Sequence, residues 1–153
     1  MIKRRVSIVL IIGLVIALTI VLFEYRSLIE ENNLQQIKVN IMFTSNLKSA
    51  SRSFGDNSIT AKNNENYNYN HAISQIGSAF QLFQFTTFKN SNVGLLEPLD
   101  NLCNLMKQDE YKAIIMQKSN LIHDELSQLS NYPEDKQATK NLNKLIEAIR
   151  QTK

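Results

Sequence analysis

The sequence predicts an all-α protein: one N-terminal transmembrane helix, then an up-down-up-down helical bundle whose third helix is broken near residues 107–110. Three observations carry this. Residues 6–23 form an 18-residue run without a charge. Beyond it, apolar residues recur at the three- and four-residue steps of a helix, with no strand alternation. Finally, the 153 residues contain only four glycines and two prolines, too few for a chain dominated by turns.

Fourteen of the 18 residues in the run are Val, Ile, Leu or Phe; the exceptions are Ser7, Gly13, Ala17 and Thr19. At about 1.5 Å per residue the segment is roughly 27 Å long, close to the ~30 Å hydrocarbon core of a bilayer. A cleaved signal peptide has a shorter apolar region, about 7–15 residues, ending in small residues. Here the run ends in Phe23-Glu24-Tyr25-Arg26, so it reads as an uncleaved signal-anchor. Lys3, Arg4 and Arg5 precede it. The positive-inside rule then makes residues 1–5 a cytoplasmic tip and places residues 24–153 outside the cytoplasm, on a chain that crosses the cell membrane once.

The formal charge of +3 belongs to that tip. Three of the 17 basic residues lie in it, leaving 14 against 14 acidic residues in the outer segment. Nucleic-acid binding needs clustered positive charge, and a neutral domain does not supply it. The single cysteine, Cys103, excludes an internal disulfide framework. Plentiful Asn, Ile and Lys suit a bacterial, AT-rich coding sequence.

The first helix is expected to continue to about Phe54, carrying Val39, Phe43, Leu47, Ala50 and Phe54 on one face, with Gly55 to Ser58 as C-cap and turn. A polar loop follows to Asn66. A second helix is expected from about Asn66 to Lys89, with Tyr69, Ala72, Ile73, Ile76, Ala79, Phe80 and Phe83 on one side. Pro98 suits the first turn of the next helix, whose stripe is Leu99, Leu102, Cys103 and Met106. The following stripe, Ile115, Ile122, Leu126 and Leu129, joined by Ile114 and Leu121, is displaced from it by more than a quarter turn at about 100° per residue. A straight helix cannot aim both at one core, so a break is expected with Asp109 as N-cap. Either the helix kinks, or it is two separate pieces in a five-helix arrangement. The last helix is expected from Pro133, with Glu134 and Asp135 at its positive end and Ala138, Leu142, Leu145 and Ile149 buried. In the four-helix version the C-terminus returns toward the membrane.

No motif for catalysis, a metal or a cofactor emerges. His71 and His123, the only histidines, lack the spacing of a metal site, and Cys103 sits among core residues. There is no nucleophile elbow or glycine-rich phosphate loop. The run Asn63 to Asn70, which includes Tyr67 and Tyr69, reads as a polar loop entering a helix.

Two surfaces stand out. Leu82, Phe85 and Phe88 fall on the far side of the second helix from Ile73, Ile76, Phe80 and Phe83, as a candidate interaction surface near the membrane. Leu34, Ile37 and Ile41 lie about 150° from the Val39–Phe54 face and continue the heptad register of the anchor. With the small pair Gly13 and Ala17 they form a candidate parallel homodimer seam.

The expected function is therefore non-enzymatic: a membrane-anchored outer bundle acting by contact with a membrane or envelope protein, as an accessory subunit, inhibitor or immunity-type protein. The alternative is a ligand-sensing bundle docking beside a separate receptor. Its layout is similar to the helical outer domains of bacterial chemoreceptors and sensor kinases, an architectural likeness with no shared motif.

Overall fold

The computed structural model describes the backbone of residues 2–55 and 65–152, and the side chains of residues 13–55 and 66–152. All regular structure among them is helical. The helices are α1 (Ile2–Phe54), α2 (Glu65–Phe83), the short α3 (Phe88–Ser91), α4 (Leu96–Met106), α5 (Asp109–Gln117), α6 (Ser119–Asn131) and α7 (Lys136–Gln151), with a 3₁₀ turn at Val93–Leu95. The chain divides into two compact units, Met1–Ile37 and Lys38–Lys153.

In the first unit every described side chain from 13 to 35 is exposed. The expected anchor, residues 6–23, lies in part outside the residues whose side chains are described. Among the described residues no helix is long and apolar enough to cross a membrane.

The second unit is the bundle, and its core is one cluster. Of the face expected on α1, Phe43, Leu47, Ala50 and Phe54 are buried, whereas Val39 is only partly so. Leu99, Leu102, Cys103 and Met106 of α4 are buried too, together with Ile115, Ile122, Leu126 and Leu129, whereas Ile114 is only partly buried and Leu121 is exposed. Neighbouring helices are oriented by contacts that tie known depths together. Asn40 of α1 bonds Thr87 just beyond α2, while Ser49 meets His71, so α1 and α2 are antiparallel. Asn92 bonds Thr139, and Arg150 bonds Asn101, so α7 runs parallel to α4. Gln128 reaches Asp135 across the hairpin from α6 to α7, so α6 opposes both. Cys103 Sγ reaches the Ile73 carbonyl and Lys112, beyond α4, bonds Asn66 at the start of α2, so α4 opposes α2; thus α1, α4 and α7 run one way, and α2 and α6 the other.

This corrects the expected up-down-up-down order. The break near 107–110 is present between Met106 and Asp109, but it reverses the chain. The two displaced stripes both reach the core because α4 and α6 approach it from opposite directions. The end of α7 consequently lies at the end of the bundle opposite Lys38, whereas the four-helix order would return it to the same end.

Other boundaries also shift. Gln108, with extended backbone and no side-chain cap, occupies the N-cap of α5, and Asp109 is its first residue. A second break at Lys118, whose N–H reaches the carbonyls of Ile114 and Ile115, separates α5 from α6. The last helix starts at Lys136 rather than Pro133, because Asp135 is its N-cap and accepts from the Gln137 and Ala138 N–H groups at 2.8 and 3.1 Å. In α7 the buried set includes Ile146, while Leu145 is only partly buried.

The Asp135 cap couples stability to pH. Hydrogen bonds from Gln128, Ala138 and Gln137 hold its carboxyl below the usual carboxylate range. The stabilisation is present above the unfolded carboxyl pKa and is lost as pH falls through the lower, folded value. Glu125 acts in the opposite sense: burial pushes its carboxyl up, so its ionisation destabilises the fold as pH rises through the carboxylate range. Asp135→Asn, which keeps the accepting oxygen, is expected to flatten the acid limb of a stability–pH curve. Asp135→Ala is expected to lower stability on the neutral side as well. Equal acid sensitivity of wild type and Asp135→Asn in chemical denaturation would contradict this assignment.

Candidate interaction surfaces

The second helix ends at Phe83, six residues before the expected boundary, and this redistributes the first candidate surface. Phe85 N–H bonds the Leu82 carbonyl at 2.9 Å and Thr86 N–H the Phe83 carbonyl at 3.1 Å, closing a turn. Thr87 is fixed to α1 twice: Asn40 Nδ2 donates to its hydroxyl at 2.8 Å and its N–H donates to Asn40 Oδ1 at 3.0 Å. Leu82 and Phe88 are partly buried against the core, with the Phe88 ring centroid 6.0 Å from that of Phe43. Phe85 alone of the three is strongly exposed, at 68%. The turn therefore presents one aromatic side chain at the end of the bundle where Lys38 enters, not a three-residue stripe.

The second candidate set behaves differently. Leu34, Ile37 and Ile41 are 57%, 53% and 61% exposed. Leu34 and Ile37 belong to the first unit and Ile41 to the second. Within the bundle, Ile41 is exposed on α1 while Phe43 and Leu47 are fully buried. Gly13 and Ala17 are exposed too, and a Cβ at Gly13 would meet nothing within 4 Å.

Both histidines bond to α1. His71 Nε2 lies 3.0 Å from Ser49 Oγ, and its ring stacks on Tyr67 one turn earlier, centroids 6.1 Å apart. His123 Nδ1 lies 2.8 Å from the Ser51 carbonyl, and Ser51 Oγ donates to the His123 carbonyl at 3.0 Å. Ser51 is in the last turn of α1, where carbonyls lack helical partners, so His123 serves as a C-terminal cap supplied from another helix. Among the described residues no carboxylate bonds either imidazole, and no group of three or more His, Cys, Asp or Glu could hold a metal ion.

Comparison of the chain with protein-family models, curated proteins and solved structures gives no match.

The described cavities are open grooves. Two, of about 280 and 300 Å³, adjoin along α7 and the segment 90–98, sharing Gly94, Thr139 and Lys140. A third, of about 340 Å³, follows the hairpin of α6 and α7 past Glu125 and Asn141. Their linings are mainly asparagine, lysine, threonine and carboxylate side chains, and in one of them the Ser91 hydroxyl donates to Glu134 at 3.0 Å.

Tyr69 is an unusual buried polar group. The residue is 4% exposed, and among the described residues its hydroxyl has no hydrogen-bond partner. Lys112 Nζ sits 5.4 Å from the ring centroid and donates to Asn66 Oδ1. Burial, with the charge of Asp109 adding to it, pushes the phenol up to about 12. Replacing it with phenylalanine removes an unsatisfied group while keeping the ring over which Lys112 sits. Tyr69→Phe is therefore expected to leave stability unchanged or raise it by about 1 kcal/mol. It should also remove the last phase of tyrosinate absorbance in an alkaline titration. A loss of more than about 1 kcal/mol would show that the hydroxyl has a partner after all.

Proposed function

We propose that this chain is a single-pass membrane protein whose outer helical bundle acts, without catalysis, through contacts with a membrane or envelope protein, as an accessory subunit, inhibitor or immunity-type protein. The observation behind the tether is the exposure of Leu14, Val15, Ile16, Leu18, Ile20, Val21, Leu22 and Phe23 on α1. Moving each such side chain out of water is worth about 1.5–3 kcal/mol, so the eight together exceed ~10 kcal/mol. That is comparable to the whole stability of a small domain, about 5–15 kcal/mol. A helix carrying this surface partitions into lipid. Thr19 is compatible with that environment, because its hydroxyl donates to the Val15 carbonyl at 2.8 Å. The basic tip at residues 3–5 sets the orientation, N-terminus cytoplasmic.

The tether is tested by extraction and topology. The full chain should stay with membranes in high salt and alkaline carbonate and be released by detergent. A reporter fused after Lys153 should be active only outside the cytoplasm. Release without detergent, or a cytosolic reporter, overturns the reading. For the contact function, Phe85 is the residue to use. The double change Phe85→Asp with Phe88→Asp would damage the core through Phe88, whereas Phe85→Asp alone leaves the core intact. A photo-crosslinking residue at 85 should give a discrete protein adduct in intact membranes, with none from a solvent-facing control at Gln137. Equal labelling at both positions removes the turn as a contact surface.

A further inference from the structure

We propose that a second copy of this chain docks in parallel along the exposed face of α1 marked by Ile16, Ile20, Phe23, Leu34 and Ile37. The inference rests on the tether in one respect: two copies held in one membrane by the same anchor present α1 in the same direction.

The spacing fits a coiled coil. Gly13, Ile16, Ile20, Phe23, Ser27, Glu30, Leu34 and Ile37 alternate three- and four-residue steps, the a and d positions of a two-stranded seam. All of these side chains are exposed, and within the first unit no described side chain covers them. Ile41 follows at the next four-residue step in sequence and is exposed in the second unit. Within that unit the bundle packs on Phe43, Leu47, Ala50 and Phe54, about half a turn of helix from Ile41, and leaves the Ile41 side open.

Charge selects a second copy as the occupant. With this seam, Arg26 falls at a g position and Glu31 five residues later at e. In a parallel pair, g of one helix meets the following e of the other, so each Arg26 faces the partner's Glu31, twice by the two-fold symmetry. An antiparallel pair would lose that match. The alternative uncharged stripe, Tyr25, Leu28, Asn32, Gln35, Val39 and Met42, leads directly into the Phe43 face that the bundle already occupies. It offers no comparable continuation for a parallel partner. Within the proposed seam Glu30 is the weak point: at d it opposes its own counterpart, relieved only by Arg26 one turn earlier. Gly13 at a lets the two backbones approach within the bilayer.

The opposed effects of two substitutions make the test specific. In the full-length chain reconstituted into vesicles of neutral phospholipid, with Cys103 changed to Ser, Leu34→Cys should crosslink between chains on mild oxidation. Asn32→Cys, on the other side of α1, should not. Glu30→Leu should strengthen self-association at least tenfold on lipid dilution followed by energy transfer, and Ile37→Asp should weaken it at least tenfold. Crosslinking at both cysteines or at neither, or weakening by Glu30→Leu, overturns the seam. Vesicle flotation of the same samples separates the two readings. A chain that fails to float loses the tether, and with it the reason for a parallel pair. One that floats but does not crosslink at 34 loses only the dimer.

Discussion

Replacing Phe43 by alanine is expected to destabilise the bundle by about 3–5 kcal/mol. Phe43 is fully buried, and its ring centroid lies 5.5 Å from Phe83 at the end of α2 and 6.0 Å from Phe88 in α3. Three segments that meet nowhere else in sequence are joined at this point. α3 is a single turn of four residues with none of its side chains fully buried, so Phe88 is its main apolar attachment to the core. Removing the Phe43 ring opens a cavity between two aromatic neighbours that belong to separate elements and cannot both collapse into it. Against a total of about 5–15 kcal/mol for a small domain, this loss is a large share. Urea unfolding of the reconstituted or detergent-solubilised full chain checks it, with Phe85→Ala as the contrast. Because Phe85 is 68% exposed, its truncation should cost within about 0.5 kcal/mol. A loss below about 1 kcal/mol for Phe43→Ala would mean that this aromatic junction is not a main support of the fold.

Helical periodicity made most of the core legible in the sequence. Apart from Leu121, the stripes of the first, third and fourth expected segments are buried or partly buried as spaced, and the offset of more than a quarter turn between the last two required the break found at Lys107. An offset alone does not say whether a helix bends or turns back. That depends on α6 packing against α7, and on α7 packing against α4, contacts between segments distant in sequence. The end of α2 was hidden for a different reason. Leu82, Phe85 and Phe88 continue a helical spacing, and no glycine or proline interrupts residues 78–93. The available signal was Thr86-Thr87. Thr86 Oγ1 donates to the Phe83 carbonyl at 2.8 Å, the local side-chain competition that disfavours threonine within helices. The break at Lys118 has no glycine, proline or threonine beside it in the sequence. Among the polar residues, His123 and Ser51 are 72 positions apart, so their mutual capping could not be anticipated from spacing.

Asn92 illustrates the same limit and yields the second large expected effect. Its sequence context, Ser91-Asn92-Val93-Gly94, looks like a solvent-facing break, yet the side chain is 2% exposed. Its Nδ2 donates to the Pro133 carbonyl and to Thr139 Oγ1, each at 2.8 Å, while its own carbonyl accepts from Leu95 N–H at 3.0 Å. One amide thus joins the turn before α4 to the turn before α7. Ser91 adds a bond to Glu134 at 3.0 Å on the exposed side of the same junction. Asn92→Ala removes both side-chain donations and leaves a buried carbonyl without its donor. The expected cost is about 2–3 kcal/mol, more than two ordinary exposed hydrogen bonds would give. Thr139→Val distinguishes the contributions. It removes one acceptor but keeps the bond to Pro133, so it should cost about half as much. If the two turns are fixed mainly by this amide, amide hydrogen exchange in the Asn92→Ala protein should accelerate at Leu95 and at Ala138 together. Acceleration confined to Leu95 would show that the turn before α7 is held by the Asp135 cap alone.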